Sequence, residues 1–232
     1  MSGTLYLVPN LLGIAPPQDV LPERTITTTR SLTHWAVETP KAARAFLKSI
    51  GMGKPIADLA LWALSEADAA DAALAALAQG HDVGLLSDAG CPAVADPGSA
   101  LVAEAHLRGI RVVPLVGPSA VLLALMASGM NGQHFCFHGY LPVKPDARAA
   151  ALRRIEEQSR SRKRTEIWIE TPYRNVALLG ALGETLSPAT RVCVAADLTL
   201  GTETIACATA AQWRKRDPAS FDKRPAIFLL QA

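Results

Sequence analysis

Short apolar runs alternate with turn-rich loops and helix-forming stretches along the first half of the chain. Thr4 to Val8 and Val83 to Leu86 predict buried strands, each followed by a loop rich in Gly, Pro or Asp. The Ala- and Leu-rich stretch from Ala67 to Ala78 predicts a helix that ends near Gly80. Because strand, loop and helix follow one another in this order, the pattern predicts a mainly parallel sheet with helices packed on it.

The second half of the chain continues this style without repeating the sequence of the first. Further strands are predicted at Leu59 to Ala63 (a weaker candidate, or the end of a loop), Ile110 to Val113, Phe135 to Phe137, Glu166 to Glu170, Arg191 to Ala196 and Ala226 to Leu230. Further helices are predicted at Leu101 to Leu107, Ser119 to Ala127, Ala147 to Ser159 and Asn175 to Leu182, with exposed charged loops at 141–148 and 214–225. We expect two α/β domains, 1–118 and 119–232, with mainly parallel or mixed sheets.

Composition narrows the class of protein. Half of the 232 residues are hydrophobic and 19% are charged, which favours packed cores over disorder. The formal net charge of +2 permits an anionic partner without requiring one. The longest apolar segment, Val112 to Met126, is interrupted by Pro114, Gly117 and Pro118, so no transmembrane helix is expected.

The four cysteines indicate a reducing environment. None lies in a C-x-x-C pair, and we identify no His at a ligand spacing from any of them, so a metal site is not expected. Their scattered positions are typical of reduced thiols in the cytosol. The N-terminus carries no basic stretch followed by an apolar run, and no signal peptide is expected.

The loop from Ser87 to Gly98 carries the most chemical information. It holds two Asp, two Gly and two Pro in twelve residues, directly after a predicted strand. Such a loop bends sharply and exposes backbone polar groups, and ligands of open α/β sheets lie at this end of the strands. Asp88 and Asp96 can accept hydrogen bonds from a ribose or an amino group. Alternatively, they cap turns or the helix that starts near Ser99.

A second loop, Gly117-Pro118-Ser119, stands before a predicted helix. Ser119 can cap that helix, and a helix N-terminus can also hold an anion. The chain has neither the G-x-G-x-x-G motif of dinucleotide-binding proteins nor the G-x-x-x-x-G-K-[ST] motif of P-loop proteins, which argues against both classes.

Together these loops resemble the tetrapyrrole methylase family of S-adenosylmethionine enzymes, and within it the branch that methylates a ribose 2′-hydroxyl of small-subunit ribosomal RNA. The similar segments spread in order over nearly the whole chain: Gly3 to Val8, Leu86 to Gly98, Val112 to Ala120, Ala127 to Met130, Phe135 to Pro142 and Glu170 to Arg174. The S-D-A-G-x-P...D-P-G segment combined with G-P-S-A is the most specific part of the resemblance.

The resemblance implies a cofactor, its cleft and its contacts. Such enzymes hold S-adenosylmethionine between two α/β domains and are usually cytoplasmic homodimers. On that pattern the cofactor would be lined by Leu11, Asp88, Ala89, Cys91, Val94, Ser119 and Ala120, with Ile169 and Ala195 closing over it. The substrate would be met by His138, Tyr140, Glu170, Arg174 and Asp197.

Three segments depart from the ribosomal RNA branch. That branch has T-P-I-G-N-L, E-D-T-R and R-E-L-T-K where this chain has N-L-L-G-I-A at 10–15, V-E-T-P-K at 37–41 and A-D-L-T-L at 196–200. All three fall on loops expected to face the substrate. The cofactor motifs are therefore matched better than the substrate motifs.

Methyl transfer to a hydroxyl or a carbon also requires loss of a proton, for which a nearby base is useful. We favour Glu38 and Asp96 as catalytic residues over Glu170, Asp197 and His138. Each has a structural alternative: Glu38 as a surface acid, Glu170 as an ion-pair partner of Arg174, and His138 as a buried, hydrogen-bonded imidazole.

Two basic clusters, Arg160 to Arg164 and Trp213 to Arg216, can contact RNA phosphates or the carboxylates of a porphyrinoid, or can simply be solvated loops. Charge therefore does not separate an RNA methyltransferase from a uroporphyrinogen-type C-methyltransferase. The altered 37–41 and 196–200 segments also leave open a protein that binds the cofactor without catalysis.

Overall fold

The first sheet is parallel throughout, as the alternating sequence pattern predicts. The computed structural model describes residues 2–232, so Met1, part of the N-terminal segment considered above, lies outside it. The chain forms two compact units, 1–119 and 120–232. The strands of the first unit are β1 (Thr4–Val8), β2 (His34–Val37), β3 (Ala60–Ala63), β4 (Val83–Leu86) and β5 (Arg111–Pro114). Their order in the sheet is β3-β2-β4-β1-β5.

Helices cover both faces of this sheet. They are α1 (Pro17–Val20), α2 (Glu23–Ser31), α3 (Pro40–Ile50), α4 (Ala69–Ala78) and α5 (Ser99–Leu107), with a 3₁₀ turn at Ile56–Asp58. Successive strand side chains point to opposite faces. Trp35 therefore packs in the cluster that includes Phe46 of α3, whereas Ala36 packs in the cluster that includes Leu74 of α4.

Gly84 is a packing requirement of the first sheet. It lies opposite Trp35 in the β2–β4 register, and a Cβ at this position would lie 2.4 Å from the Trp35 ring. A glycine inside a strand marks such a close approach. The large indole is therefore accommodated only because its neighbour has no side chain.

The second unit contains a mixed sheet. Its strands are β6 (Phe135–Tyr140), β7 (Thr165–Glu170), β8 (Arg191–Ala196), β9 (Thr204–Thr209) and β10 (Ala226–Gln231), and its helices are α6 (Ala120–Ser128), α7 (Pro145–Arg162), α8 (Asn175–Thr185) and α9 (Ala210–Trp213), with 3₁₀ turns at Pro172–Arg174 and Pro218–Phe221. The strand order is β6-β7-β10-β8-β9. Among these strands β6 and β7 are paired in parallel, and the other pairs are antiparallel. A core around Trp168 and Phe228 holds it together.

The predicted α/β class with two sheets is confirmed, while several local predictions are wrong. Between residues 14 and 58, where the sequence pattern predicts no element, the structure has three α-helices and β2. The sequence pattern also predicts no element at β9. The predicted loop at 141–148 already contains the first turn of α7, because Pro145 is favourable at the first position of a helix. Within residues 2–232, no helix has both the length and the apolar character needed to span a bilayer.

Candidate functional site

The parallel strands of the first unit bring four loops to one edge of the sheet. β1, β2, β4 and β5 all end there, and they are followed by Asn10, Glu38, Asp88 and Gly117. These residues lie far apart in sequence. The topology thus assembles the predicted cofactor loops at the place where open α/β sheets bind their ligands.

Asn10 joins the first loop to the 87–98 loop. Its side-chain Nδ2 donates to the carbonyl oxygens of Ser87 and Asp88, both at 3.0 Å, and its backbone N–H donates to Gly90 O at 2.8 Å. The residue is buried, so these bonds are shielded from water. Asn10 belongs to a segment that departs from the ribosomal RNA branch. The sequence pattern does not predict that it joins the two loops.

Glu38 and Thr39 together hold Asp88. Glu38 Oε2 accepts a hydrogen bond from the Asp88 backbone N–H at 2.9 Å. Thr39 donates to Asp88 Oδ1 from its hydroxyl at 2.8 Å and from its backbone N–H at 3.2 Å. The 37–41 segment is therefore not merely a surface loop, since Thr39 immediately precedes α3 and binds the carboxylate predicted to contact the cofactor.

The surroundings of Asp96 shift the pKa of its carboxyl group. Burial, followed by the neighbouring negative charges of Glu38 and Asp88, raises the pKa of Asp96 to about 6, although the Ser87 hydroxyl acts in the opposite direction. A carboxylate with such a pKa is a better proton acceptor near neutral pH than an ordinary one. The two predicted catalytic residues, Glu38 and Asp96, are thus brought into electrostatic contact.

The loop that presents Asp96 is strained. Ala93 and Ala95 both have φ of 65°, a conformation that non-glycine residues rarely adopt. Each costs on the order of 1–2 kcal/mol, so the surrounding contacts must hold the loop in place. Backbone strain of this kind often occurs at ligand sites, which fits the role predicted for this loop.

Cys91 is a half-buried free thiol whose Sγ lies 3.4 Å from Pro118 O. Burial, with a smaller contribution from Asp96, raises its pKa and keeps it protonated. Cys91 therefore has a packing role next to the Gly117-Pro118-Ser119 loop. The neighbouring predicted contacts Ala89 and Val94 are exposed at the surface.

A cavity of about 460 Å³ lies between the 10–15 loop and α3. Its volume falls within the range of about 300–1,000 Å³ typical of small-molecule sites. Three of its lining residues, Leu11, Asp88 and Ala89, were predicted to bind the cofactor, and the others include Ile14 and Phe46. The cavity thus joins part of the predicted cofactor surface to a loop predicted to face the substrate.

The predicted site residues of the second unit lie near the ends of the strands, on one side of its sheet. Ile169 and Ala195 both pair with Ile227 of the intervening strand β10, so these three residues lie side by side. Tyr140 pairs with Ile169 beyond a bulge in β6 and is exposed. Ile227 is not among the predicted contacts, although the apolar run of β10 marks it as a residue of a buried strand. Ser119 and Ala120 lie where one unit ends and the other begins.

The charged residues predicted to meet the substrate are largely paired within the second unit. Arg174 Nε donates to Glu170 Oε1 at 2.8 Å, which is the structural alternative foreseen for Glu170. Arg224 Nε donates to Asp197 Oδ2 at 2.8 Å, an interaction that the sequence did not reveal. Glu170 Oε2 is buried and has no hydrogen-bond partner among the described residues. That oxygen is shielded from solvent, so Glu170 acts on this part of the unit through its bond to Arg174.

His138 also has an internal partner. Its Nε2 lies 2.6 Å from Glu166 Oε2, and the imidazole is mostly buried. Glu166 in turn accepts from Arg164 Nε at 2.6 Å, and Cys136 lies close to both His138 and Glu166. The C-x-H spacing of Cys136 and His138 is the sequence signal for this cluster, because it places both side chains on one face of a strand.

The first basic cluster is not a solvated loop over its whole length. Arg160 and Arg162 belong to the last turn of α7, whereas Arg164 is buried and bound to Glu166. Arg214 of the second cluster donates to the carbonyl oxygens of Gly183 and Leu186. These contacts reduce the number of cations available for a substrate.

Comparison with known proteins identifies a common family. A family model described as "Tetrapyrrole (Corrin/Porphyrin) Methylases" matches residues 20–213. The chain is 34% identical over 221 residues to a protein of Pasteurella multocida (strain Pm70) named "Ribosomal RNA small subunit methyltransferase I", covering 94% of this chain and 75% of the relative.

Two solved structures share the fold. The methyltransferase CobJ aligns with a TM-score of 0.63 and 23% identity over 99% of this chain and 94% of its own. The uroporphyrin-III-C-methyltransferase from Thermus thermophilus aligns with a TM-score of 0.58 and 18% identity over 100% of this chain and 93% of its own. At these identities the likeness concerns the fold alone.

Proposed function

The chain belongs to the tetrapyrrole methylase family and is an S-adenosylmethionine-dependent methyltransferase, and we propose that it methylates a ribose 2′-hydroxyl of small-subunit ribosomal RNA. The observation that carries this proposal is the 34% identity, over 94% of the chain, to the Pasteurella multocida protein named for that RNA. The tetrapyrrole enzymes among the solved structures are more distant in sequence and support the fold only.

The first unit fits S-adenosylmethionine chemically. The cofactor carries a sulfonium cation, ribose hydroxyls and a flat aromatic adenine ring. The edge of the first sheet offers the carboxylate of Asp88, held by Thr39, next to apolar Leu11 and the half-buried Cys91. Gly90, with φ of 67°, lets the backbone turn beside Leu12, since a Cβ there would lie 3.3 Å from Leu12 Cδ2.

We assign the cofactor contacts to the residues that the family pattern predicts. In the first unit and at its end these are Leu11, Asp88, Ala89, Cys91, Val94 and Ser119. In the second unit they are Ala120, Ile169 and Ala195, and we add Ile227 because it lies between the last two. When bound, the cofactor supplies an electrophilic methyl group that is transferred in line to the acceptor.

Asp96 is the proposed base. A ribose hydroxyl loses its proton as its oxygen takes the methyl group, and Asp96 accepts that proton in its ionised form. Its pKa of about 6 leaves the carboxylate mostly ionised at neutral pH while keeping it more basic than an ordinary Asp. Glu38 acts differently: its carboxylate raises the pKa of Asp96 and binds the Asp88 N–H.

Substrate contacts are proposed for the edge of the second sheet. Tyr140 is exposed there and can stack on a base, whereas Glu170 is buried and positions Arg174. Arg174 and Asp197 orient this edge through their ion pairs with Glu170 and Arg224. His138 is less accessible, because its Nε2 is bound to Glu166.

The decisive experiment offers two acceptors to the same enzyme. Purified protein is incubated with S-adenosylmethionine carrying a labelled methyl group and either undermethylated small ribosomal subunits or uroporphyrinogen III. We expect label in the RNA only, recovered after digestion as a 2′-O-methylated nucleoside. Label on a tetrapyrrole carbon would instead identify the protein as a uroporphyrinogen-type C-methyltransferase. Cofactor binding by calorimetry without turnover on either acceptor would indicate a protein that binds without catalysis.

A cytoplasmic homodimer is the assembly that we propose. All four cysteines are free, which agrees with a reducing compartment. Large apolar side chains are exposed on each unit, including Leu107 and Met126, and such surface is typical of a contact between protomers. Sedimentation equilibrium at micromolar concentration tests the dimer, and a monomer under those conditions would contradict it.

A further inference from the structure

Three metal-binding side chains meet in the second unit, at the edge strand β6. The Cys136 thiol, an imidazole nitrogen of His138 and a carboxylate oxygen of Glu166 all lie within 4.8 Å of one another. The backbone explains the arrangement: Cys136 and His138 are two residues apart on β6, and Cys136 pairs with Glu166 of β7. Thiolate, imidazole and carboxylate together form a donor set typical of Zn²⁺.

Glu166 is oriented as a metal ligand would be. Its side chain is fully buried, and Arg164 Nε binds Oε1 at 2.6 Å, which leaves Oε2 directed towards His138. Arg164 is itself held, since its Nη2 donates to Gln158 Oε1 at 3.2 Å and its carbonyl oxygen accepts from Ser159 Oγ at 2.7 Å. Ligating carboxylates are commonly fixed by outer hydrogen bonds of this kind.

We propose that Cys136, His138 and Glu166 form a Zn²⁺ site, with water as the fourth ligand. Zinc bond lengths of about 2.0–2.3 Å place tetrahedral ligand atoms about 3.3–3.8 Å apart, so small side-chain rotations suffice. Binding replaces the Cys136 S–H bond by an S–Zn bond and releases the proton to solvent. The thiolate and the Glu166 carboxylate then offset part of the positive charge of the ion and of Arg164, which stays bound to the other carboxylate oxygen.

A metal ion bound at this site would link β6 to β7 next to an irregularity in their pairing. The register shifts between Phe137 and Tyr140, around Gly139 with φ of 65°. Cys136 and His138 flank Phe137 immediately before this bulge, and β6 has a neighbour on one side only. A bound ion that contacts both strands would therefore hold the edge of the sheet.

The test uses Co²⁺ as a spectroscopic substitute for Zn²⁺ in the full-length protein, after removal of metal with a chelator. We expect one Co²⁺ per chain, with a thiolate-to-cobalt charge-transfer band and the d–d absorption of tetrahedral cobalt. The Cys136→Ser variant should lose the charge-transfer band. The control variant Cys207→Ser, which alters an exposed thiol outside the cluster, should retain it.

The absence of a thiolate band in the wild type, or its persistence in Cys136→Ser, would overturn the proposal. If Cys136→Ser does not fold by circular dichroism, X-ray absorption of the Zn²⁺-loaded wild type decides instead. One sulfur in the zinc coordination shell supports the site, and a shell of only nitrogen and oxygen refutes it. These readouts do not depend on methyl transfer, so they are independent of the proposed function.

Discussion

Replacing Asp96 by Asn should stabilise the protein at neutral pH. Its pKa rises from 3.8 to about 6 on folding, so the folded state resists ionisation of this carboxyl. A shift of about two pKa units corresponds to about 3 kcal/mol at 1.36 kcal/mol per unit. Because Asp96 is only partly buried, solvent screens much of this penalty, and we expect about 1 kcal/mol. For a chain of this size that is about 2–4 °C in melting temperature.

The pH dependence of this stabilisation shows whether the Asp96 carboxyl is its cause. A folded-state pKa above the unfolded value gives stability that is fully present below about pH 4 and is lost as the pH rises through about 6. The advantage of Asp96→Asn over the wild type should therefore grow between pH 4 and pH 6 and stay constant above. Differential scanning fluorimetry across this range measures it.

A matched control separates this effect from a general loss of negative charge. Asp58→Asn removes an exposed carboxylate that has no hydrogen-bond partner in the structure's described residues. It should leave the difference between pH 5 and pH 8 unchanged. If Asp96→Asn is less stable than the wild type at pH 8, or if its advantage does not vary with pH, the assigned environment of Asp96 is wrong.

Three further outcomes follow from the same structure. Asp96→Asn should lower kcat by about 10²–10⁴-fold and abolish the rise of kcat/KM through pH 6, while the melting shift caused by S-adenosylhomocysteine persists; an unchanged profile would exclude Asp96 as the base. Thr39→Val removes the hydroxyl bond to Asp88 and should weaken cofactor binding in calorimetry by about fivefold, or about 1 kcal/mol, with unchanged affinity counting against Asp88 as a contact. Arg224→Met leaves Asp197 with only its hydrogen bond from the Thr202 hydroxyl and should cost about 2–3 kcal/mol in urea unfolding; a loss below about 0.5 kcal/mol, roughly that of an exposed pair, would show that Arg224 does not hold the 197–203 loop.

The fold class could be predicted because the strong signals are local. β4 is four buried residues bounded by a turn and a Gly-rich loop, and its pattern is legible without its neighbours. β2 is not legible in this way. His34–Val37 contains a His and a Trp and follows a Thr-rich helix, and its strand conformation depends on pairing with β3 and β4. Tertiary context of this kind overrides propensity.

The site was predictable as a set of loops but not as a network of partners. The 87–98 loop and its two acids were identified from composition and resemblance. The bond from Asn10 to Ser87 and the pairing of Asp197 with Arg224 join residues more than 25 positions apart. Sequence spacing carries no direct information about such contacts. The sequence therefore does not predict Arg224 as the partner of Asp197, although this ion pair offsets the Asp197 charge that a substrate would meet.

The position of β1 in the first sheet has a consequence during synthesis. It leaves the ribosome before the other described strands, yet its two partners are β4 and β5, which begin at Val83 and Arg111. At about 5–20 residues per second, β1 waits roughly 4–15 s for about 75 residues to be added before β4 begins. Its apolar side chains stay unpaired throughout that time. Nascent chains of this protein are therefore expected to engage chaperones early, and to become resistant to protease only after β5 has emerged.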